Sequence, residues 1–365
     1  FYLMKTIVFL IDGLLNSGGT ERLTVVTANN LALSGYNIHI ITLRESSKHF
    51  FKVNHTVNVS SLAFCKRKNY FLTKILYIKE IRRYLKEISA DCIVAVDSLL
   101  SVYSIPASMG LKTYHVTWEQ FNFDINLGMR LRDVSRFLSS FFSSKIIVLT
   151  NKDKLKWLKK YHWARNKIHV IFNPSFINVT DKKYSDDSKI ILAVGRLAYQ
   201  KGFDLLIKNW AEICNDYQGW KLRIIGSGND ELYLKELAKT LDLDEKVEFA
   251  GQISNISDEY NKASFFCMSS RFEGIGLVLI EAQACGLPLI AYDCDCGPSE
   301  VIINSENGYL IPAFNDAAYK NAMRKMIENP SLRQQFSKEC KHNADVFSTE
   351  SFCQAWIQLI KKISE

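Results

Sequence analysis

Short apolar runs rich in β-branched residues alternate with longer amphipathic runs along the whole chain. This alternation constrains the fold most, because apolar strands separated by helices are typical of parallel sheets buried on both faces. The strand-like runs of the first half are 5–11, 36–43, 92–96, 112–117, 145–149 and 168–172, with helical runs near 20–34, 72–88, 98–108, 127–142 and 153–161. Those of the second half are 189–194, 221–225, 246–250, 264–268 and 288–292. The sequence therefore predicts two doubly wound α/β domains in tandem.

A break separates the two series. Asn173-Pro174 and a polar stretch at 181–188 interrupt the regular pattern. We predict a first domain over 1–175, a second over 176–349 and a C-terminal helix over 350–365. The length of 365 residues agrees with two domains of ordinary size.

Charge is distributed unevenly between the halves. Residues 1–180 contain 25 lysines and arginines against 11 aspartates and glutamates, whereas residues 181–365 contain 21 against 27. The basic half suits nucleic acid, anionic lipid or a phosphorylated substrate, and charge alone does not choose among them. Two basic amphipathic stretches, 65–86 and 130–142, are candidates for lying on an anionic bilayer; a solvated helix with its apolar side in the core is the alternative for each.

The sequence predicts neither a membrane span nor a disulfide framework. No run reaches the roughly 18 consecutive apolar residues that a spanning helix needs. The nine cysteines are scattered and form no CxxC pair. We therefore expect no zinc site, a reducing cytosol and thiols that serve as small core residues.

A pair of glycines, Gly18-Gly19, follows the first strand. Glycines at a strand-to-helix turn let the backbone approach a ligand closely, and the helix N-terminus favours an anion. A simple tight turn is the alternative. The GxGxxG and P-loop patterns are absent, so dinucleotide oxidoreductases and ATPases lose their main support.

Two cations follow the first strand of the second domain. Arg196 offers a planar fork for phosphate oxygens and Lys201 a compact charge, although exposed surface cations are the commoner explanation. After the next strand, Gly226-Ser227-Gly228 is either a loop near a ribose or phosphate, or a plain turn.

Two carboxylates eight residues apart flank a glycine-bearing turn. Glu273 precedes the turn, and Glu281 lies in the predicted helix that starts near Gly276. A diphosphate could cap this helix at the amides of residues 276–278. Glu281 would then accept hydrogen bonds from ribose hydroxyls, and Glu273 would face the group beyond the phosphates.

Taken together, these motifs resemble those of the retaining glycosyltransferases of family 4, which have the GT-B fold. The glutamate pair, Gly195-Arg196-Leu197 with Lys201-Gly202, and the N-terminal glycines match the family. Later landmarks are Cys285-Gly286-Leu287-Pro288, Gly297-Pro298-Ser299-Glu300 and Asn307-Gly308. The match is dense over 192–312 and sparse over 40–170, and the region from Asp293 to Pro298 is most similar to enzymes of bacterial O-antigen and capsule assembly.

The resemblance implies a metal-independent, retaining transfer of a sugar from a nucleotide sugar, expected to be UDP-linked, to a hydroxyl of a lipid-linked glycan. Two Rossmann-like domains would face an interdomain cleft, the first binding the acceptor and the second the donor, with the C-terminal helix returning to the first. No cofactor, no metal and no nucleic-acid partner are expected, and the triplet Asp293-Cys294-Asp295 is interpreted as a chance DxD. The expected location is cytoplasmic, on the inner face of the cell membrane through the basic first domain.

The resemblance also implies roles for single residues. Arg196 and Lys201 would neutralise the donor diphosphate, and Glu273 would contact the donor sugar. The expected donor-binding residues are Gly18, Gly19, Gly226, Ile253 (at the nucleobase), Gly276, Leu277, Val278 and Glu281 (at the ribose).

One departure from the family concerns the acceptor side. Many relatives carry a histidine where this chain has Gln120, which can hydrogen-bond a sugar hydroxyl but cannot titrate. This agrees with a front-face mechanism in which the leaving phosphate takes the acceptor proton. Glu119 is a candidate acceptor contact, and His115 is expected in the strand. The two rival functions are a sugar-nucleotide epimerase of similar fold and a catalytically weak nucleotide-sugar-binding protein.

Overall fold

The computed structural model describes residues 5–15, 18–44, 49–63, 70–126, 128–177 and 188–364. The chain divides into two compact units, the first comprising 1–172 with 352–365 and the second 173–351. The first unit ends slightly before the predicted boundary at 175, and the segment from Phe352 onward belongs to it.

A seven-stranded parallel sheet forms the centre of the first unit, in the order β3-β2-β1-β4-β5-β6-β7. Its strands are β1 (Thr6–Ile11), β2 (Asn37–Thr42), β3 (Asn58–Ser61), β4 (Cys92–Val96), β5 (Tyr114–Trp118), β6 (Lys145–Val148) and β7 (Ile168–Val170). All six residues of β1 are buried, as expected of a central strand covered on both faces.

Helices connect these strands: α1 (Gly19–Leu33), α2 (Tyr70–Glu87), α3 (Ser101–Ser108), α4 (Arg130–Phe142) and α5 (Asn151–Lys160). The last helix of the chain, α13 (Thr349–Ser364), packs its aromatic residues on the same sheet. The fully buried Trp356 lies with its ring centroid 4.7 Å from that of Trp118 and 6.1 Å from that of Phe9.

A six-stranded parallel sheet forms the second unit, in the order β10-β9-β8-β11-β12-β13. Its strands are β8 (Ile190–Val194), β9 (Lys221–Ile225), β10 (Val247–Gly251), β11 (Phe265–Met268), β12 (Leu289–Asp293) and β13 (Gly308–Pro312). Its helices are α6 (Phe203–Ala211), α7 (Glu231–Thr240), α8 (Ile256–Lys262), α9 (Leu277–Ala284), α10 (Pro298–Val301), α11 (Asp316–Glu328) and α12 (Pro330–Asn343).

Both sheets reverse their strand order beside the first strand of the unit, between β1 and β4 and between β8 and β11. In open parallel sheets, ligands bind beyond the carboxyl ends of the strands at such a reversal. The fold therefore predicts a ligand site in the segments that follow β8 and its neighbouring strands in the second unit.

Two of the sequence expectations concern the chain as a whole. The eight described cysteines are free and buried, in agreement with a role in the core. No helix within the described ranges is long and apolar enough to cross a bilayer.

Candidate functional site

A cavity of about 890 Å³ lies in the second unit, beyond the carboxyl ends of β8, β9 and β10. It brings together four predicted site residues from four chain segments: Arg196, Gly226, Ile253 and Glu281. The other lining residues are Val194, Gly195, Ile225, Ser227, Gly228, Gln252, Ser254 and Ile256. The cavity therefore occupies the position at which this type of sheet binds ligands.

Two glycines let the loops after β8 and β9 touch through their backbones. A Cβ atom on Gly226 would lie 1.9 Å from the carbonyl oxygen of Gly195, and one on Gly228 would lie 2.2 Å from that of Leu197. The Leu197 N–H also donates a hydrogen bond of 2.9 Å to the Ser227 carbonyl oxygen. Glycine is required at both positions because any larger residue forces the loops apart.

Arg196 is exposed at the edge of this cavity. Its guanidinium makes no hydrogen bond or ion pair to any other residue that the structure describes. A planar cation in this situation is suited to the oxygen atoms of a phosphate.

Glu281 enters the cavity from helix α9 and is held by a buried tyrosine. The Tyr260 hydroxyl donates to Glu281 Oε2 at 3.1 Å. Burial, together with the nearby Glu281 carboxylate, raises the pKa of Tyr260 well above its ordinary value, so the phenol stays protonated and donates. Tyr260 is a site residue that the sequence analysis missed, because nothing in the sequence of α8 marks it.

Lys201 and Glu273 form an ion pair next to the cavity. Lys201 Nζ lies 2.6 Å from Glu273 Oε1, and the Ser270 hydroxyl donates to the same oxygen at 2.6 Å. A Cβ built on Gly195 lies 3.5 Å from the side-chain carbons of Lys201, so the lysine runs along the loop that lines the cavity. Lys201 and Glu273, two of the three residues predicted to take part in catalysis, thus contact each other, although only the third, Arg196, lines the cavity.

A second ion pair connects the loop that carries Lys201 to the loop that carries Glu273. The Arg271 guanidinium donates to both oxygens of Asp204, at 2.8 and 2.7 Å, and its carbon lies 4.1 Å from the centre of the Tyr199 ring. The Arg271 N–H donates to the Gln200 carbonyl oxygen at 2.8 Å. These contacts fix the separation of the two loops and hence the position of the lysine relative to the glutamate.

The predicted anion site at residues 276–278 lies at the N-terminus of α9. Gly276 precedes the helix with φ of 78°, a conformation that favours glycine. Leu277 and Val278 belong to the first turn, whose N–H groups have no acceptor within a helix and attract negative charge. Because Glu281 lies in the same helix, α9 connects this terminus to the cavity.

In the first unit, the prediction that Glu119 contacts an acceptor is wrong. Glu119 is fully buried and accepts hydrogen bonds from Arg136 Nε at 2.7 Å and from the N–H groups of Gln120 and Phe121 at 3.1 and 3.2 Å. Arg132 adds a longer contact of 3.4 Å. Glu119 therefore holds the loop after β5 and is not accessible to a substrate.

Gln120 lies on this loop at the carboxyl end of β5. Its side-chain Nε2 is buried and has no hydrogen-bond partner among the described residues. A buried amide donor without a partner is uncommon in a folded protein.

Two further predicted elements, the glycine pair and the DxD triplet, lie outside the cavity lining. Gly18 and Gly19 lie at the start of α1 in the first unit, with Gly18 as the N-cap, while residues 16–17 are outside the described ranges. Asp293 ends β12, and no three His, Cys, Asp or Glu side chains of the described residues come together as a metal site.

Sequence profiles cover both units. Residues 17–174 match Glycosyltransferase Family 4 and residues 177–343 match Glycosyl transferases group 1.

Two curated relatives align over almost the entire chain. An uncharacterized glycosyltransferase of Haemophilus influenzae is 33% identical over 97% of this chain and 99% of its own. The GalNAc-alpha-(1->4)-GalNAc-alpha-(1->3)-diNAcBac-PP-undecaprenol alpha-1,4-N-acetyl-D-galactosaminyltransferase of Campylobacter jejuni is 26% identical over 99% of both chains.

The fold has counterparts among solved structures. Anabaena HepE in complex with UDP superposes with a TM-score of 0.79 at 17% identity, covering 98% of this chain and 100% of the other. The two parallel sheets, the profiles over both units and the Haemophilus relative agree, and this chain belongs to the family 4 glycosyltransferases with the GT-B fold.

Proposed function

We propose that the protein is a retaining, metal-independent glycosyltransferase that moves a sugar from a UDP-linked donor to a hydroxyl of a lipid-linked glycan. The reaction would serve bacterial surface polysaccharide synthesis, such as that of O-antigen in lipopolysaccharide. The observation that carries this proposal is the cavity of the second unit, where an unpaired guanidinium and a carboxylate held by a tyrosine face the same space. Uridine as the base is supported by the UDP named for the HepE structure.

In this proposal the donor diphosphate binds between Arg196 and the N-terminus of α9, and the ribose hydroxyls donate to Glu281. Lys201 turns from Glu273 toward the phosphates as their charge grows. Positive charge placed where the leaving group becomes negative lowers the barrier most effectively in a site that is already organised. Glu273, released from the lysine, is then free to accept from hydroxyls of the donor sugar.

The chemical step exchanges one C–O bond for another on the same face of the sugar. The bond between the anomeric carbon and the diphosphate oxygen breaks, and UDP leaves with the electron pair. The acceptor oxygen forms the new bond to the anomeric carbon, and its proton passes to the departing phosphate. Gln120 takes no part in proton transfer, because a side-chain amide does not titrate.

The proposed acceptor is a glycan on a polyprenyl diphosphate, as the PP-undecaprenol in the name of the Campylobacter relative suggests. Such a lipid lies in a membrane, so the enzyme would work from the cytoplasm on the inner face of the cell membrane. The basic charge of residues 1–180 supports contact with anionic lipids on that face.

A thermal-shift panel of UDP, ADP, GDP and UDP-sugars, each with and without EDTA, tests the donor site. Because a ligand stabilises the state that binds it, we expect UDP and one UDP-sugar to raise the melting temperature, and EDTA to change nothing. Stabilisation by ADP or GDP alone would reject uridine, and loss of the shift in EDTA would reject metal independence. No shift by any nucleotide in folded protein would reject the donor site.

Slow UDP release from the selected UDP-sugar without acceptor separates a transferase from a protein that only binds donors. We expect measurable hydrolysis that is faster than in enzyme-free solution. Binding without any hydrolysis or transfer would favour the binding protein.

A further inference from the structure

Helix α4 has its polar face inside the first unit and its apolar face outside. Its buried residues are Arg132, Ser135, Arg136, Ser139 and Ser140. Its large apolar residues Val134, Phe137, Phe141 and Phe142 are 50%, 48%, 47% and 52% exposed. Most helices on a soluble sheet have the opposite arrangement, since burial of apolar area drives their packing.

The buried face is explained by charge partners. Arg132 donates to Asp97 at 2.6 and 3.0 Å, and Arg136 donates to Glu119 at 2.7 Å. Ser139 lies 3.0 Å from Thr117 of β5. The polar side of α4 is therefore committed to the protein interior, and its aromatic side faces outward.

The exposed side chains form one continuous surface with a neighbouring tryptophan. Phe137 and Phe141 have ring centroids 5.1 Å apart, and the ring of Trp163 stacks on Phe141 at 5.0 Å with an angle of 29°. Trp163 is 43% exposed and anchors its Nε1 on the Ser140 hydroxyl at 3.2 Å. We name Val134, Phe137, Phe141, Phe142 and Trp163 the α4 patch.

Basic residues accompany the α4 patch. Lys167 Nζ donates to the Phe141 carbonyl oxygen at 2.6 Å, and Lys160 Nζ lies 5.5 Å from the centre of the Tyr161 ring, which contacts Phe137 and Trp163. Arg130 and Arg165 are exposed nearby in the chain. Residues 128–177 contain eleven lysines and arginines against two acidic residues, and nine of these cations remain when the buried, paired Arg132 and Arg136 are set aside. A protein partner would have to match this one-sided charge, whereas an anionic lipid surface does so everywhere.

From Leu72 onward, the other basic amphipathic stretch of the sequence has most of its apolar side in the core instead. In its described part, helix α2, the apolar residues Tyr77, Ile81 and Leu85 are buried in the core. Arg83 pairs with Glu80 and Glu87 on the outer side. Core packing accounts for Tyr77, Ile81 and Leu85 of α2. Residues 64–69 and the side chains of residues 70 and 71 lie outside the described part of the chain.

We infer that the α4 patch is the surface by which the protein docks on an anionic lipid bilayer. The aromatic rings enter the boundary between headgroups and acyl chains, and the lysines and arginines contact the lipid phosphates. This inference rests on the proposed function, in which the acceptor is lipid-linked. Vesicle binding is measured without donor or acceptor, so the docking surface and the proposed function can fail independently.

Flotation of the full chain with vesicles tests this surface. We expect binding to vesicles of phosphatidylglycerol and phosphatidylethanolamine, little binding to pure phosphatidylcholine, and weaker binding at high salt. The double variant Phe137→Ser/Phe141→Ser should lower the vesicle partition coefficient at least about tenfold, because interfacial binding scales with the apolar area that enters the bilayer. The variant should keep the UDP-dependent thermal shift of the second unit.

Two matched controls accompany the double variant. Leu33→Ser/Leu232→Ser removes two leucines that are 76% and 77% exposed on other helices and should leave binding unchanged. Leu72→Ser removes an exposed leucine of α2 and should also leave it unchanged. An equal loss in either control, or none in the α4 variant, would overturn the inference.

Fluorescence gives an independent measurement on the unaltered patch. Trp163 is exposed, whereas Trp118, Trp157, Trp210, Trp220 and Trp356 are buried. Vesicles of brominated lipid should therefore quench Trp163 selectively, and Trp163→Phe should abolish the quenched component. Vesicle binding without quenching would reject this patch. A wild-type dimer that Phe137→Ser/Phe141→Ser dissociates, without any change in vesicle binding, would identify a second copy as the occupant instead.

Discussion

At the scale of single residues, Arg196 carries a charge for which the described structure provides no partner. Lys201, by contrast, is already paired with Glu273 at 2.6 Å. An exposed guanidinium at the rim of a cavity contributes little to folding, since it gains no burial and no ion pair. Its removal should therefore change ligand binding and catalysis with little effect on stability.

We predict that Arg196→Ala lowers the turnover number about 10²–10³-fold, as for the loss of one group that stabilises developing negative charge. The measurement is steady-state release of UDP from the UDP-sugar that gives the largest thermal shift. The melting temperature without ligand should stay close to that of the wild type.

Arg324→Ala is the matched control, because Arg324 lies on α11 and does not line the cavity. It should retain wild-type turnover. Normal turnover of Arg196→Ala would remove this residue from the site, and equal losses in both variants would indicate a general effect of charge.

At the scale of elements, β5 is joined to α3 and α4 by an interface of hydroxyl groups around a histidine. His115 Nε2 lies 2.7 Å from the Ser104 hydroxyl and Nδ1 lies 3.0 Å from that of Ser143. Burial lowers the pKa of His115 to about 3 from a reference value of 6.5. The imidazole is thus neutral in the folded protein and structural, as expected from its position in the strand.

This interface predicts a dependence of stability on pH. Between pH 6.5 and 3 the unfolded chain binds a proton at His115 that the folded protein does not, so the contribution of His115 to stability falls as pH falls. The effect is about 1.4 kcal/mol per pH unit. Asp153 acts in the opposite direction, since burial raises its pKa to about 7. The test must therefore compare a variant with the wild type.

We predict that His115→Asn is less stable than the wild type at neutral pH, but that the difference shrinks by about 2 kcal/mol between about pH 7.5 and about pH 5. Urea unfolding at the two pH values measures it. The same substitution at the exposed His342 is the control. A stability difference for His115→Asn that is independent of pH would contradict a buried neutral imidazole.

The strands that could be predicted from the sequence are those whose residues are almost all apolar. The runs at 5–11, 92–96 and 189–194 are apolar and became central strands. β3 and β13 were missed because β3 reads Asn-Val-Ser-Ser and β13 begins with glycine and ends with proline, and both lie at sheet edges, where only one neighbour constrains the sequence.

The sequence predicted those parts of the candidate site whose backbone geometry requires a particular residue type. Gly226 was predicted as a site residue and permits a close loop contact, and Gly276 was predicted and has a positive φ. Charged residues near these glycines pointed to Arg196 and Glu281. Tyr260 and the buried role of Glu119 depend on contacts between distant segments, which no local pattern encodes. The orientation of α4 is of the same kind, because hydrophobic periodicity alone places its apolar face inward. Its polar face is buried because Arg132 and Arg136 pair with Asp97 and Glu119, which are distant in the sequence.

At the scale of the whole molecule, the two units have separate cores. Trp356 and Trp118 pack in the first unit, while Trp210 lies in the hydrophobic cluster of the second. The cavity is lined entirely by residues of the second unit. Stability and donor binding can therefore be assigned to units by single substitutions.

We predict that calorimetry resolves two unfolding transitions, of which UDP raises only one. Trp356→Ala should destabilise the first unit by about 3–5 kcal/mol and lower the transition that UDP does not affect. Trp210→Ala, a matched loss of a fully buried tryptophan, should lower the UDP-sensitive transition. A single transition in all three proteins, or the reverse assignment, would refute independent units.

The path of α13 has a consequence for synthesis on the ribosome. The sheet of the first unit is translated early, yet the side chains that cover Trp118 and Phe9 come from Phe352 onward, after the entire second unit. Domains commonly fold as they emerge, N-terminal ones first. The nascent first domain therefore exposes an aromatic surface while the second unit is translated. A chain that stalls or terminates before Phe352 would keep this surface exposed to chaperones and proteases, even though its donor cavity had already formed.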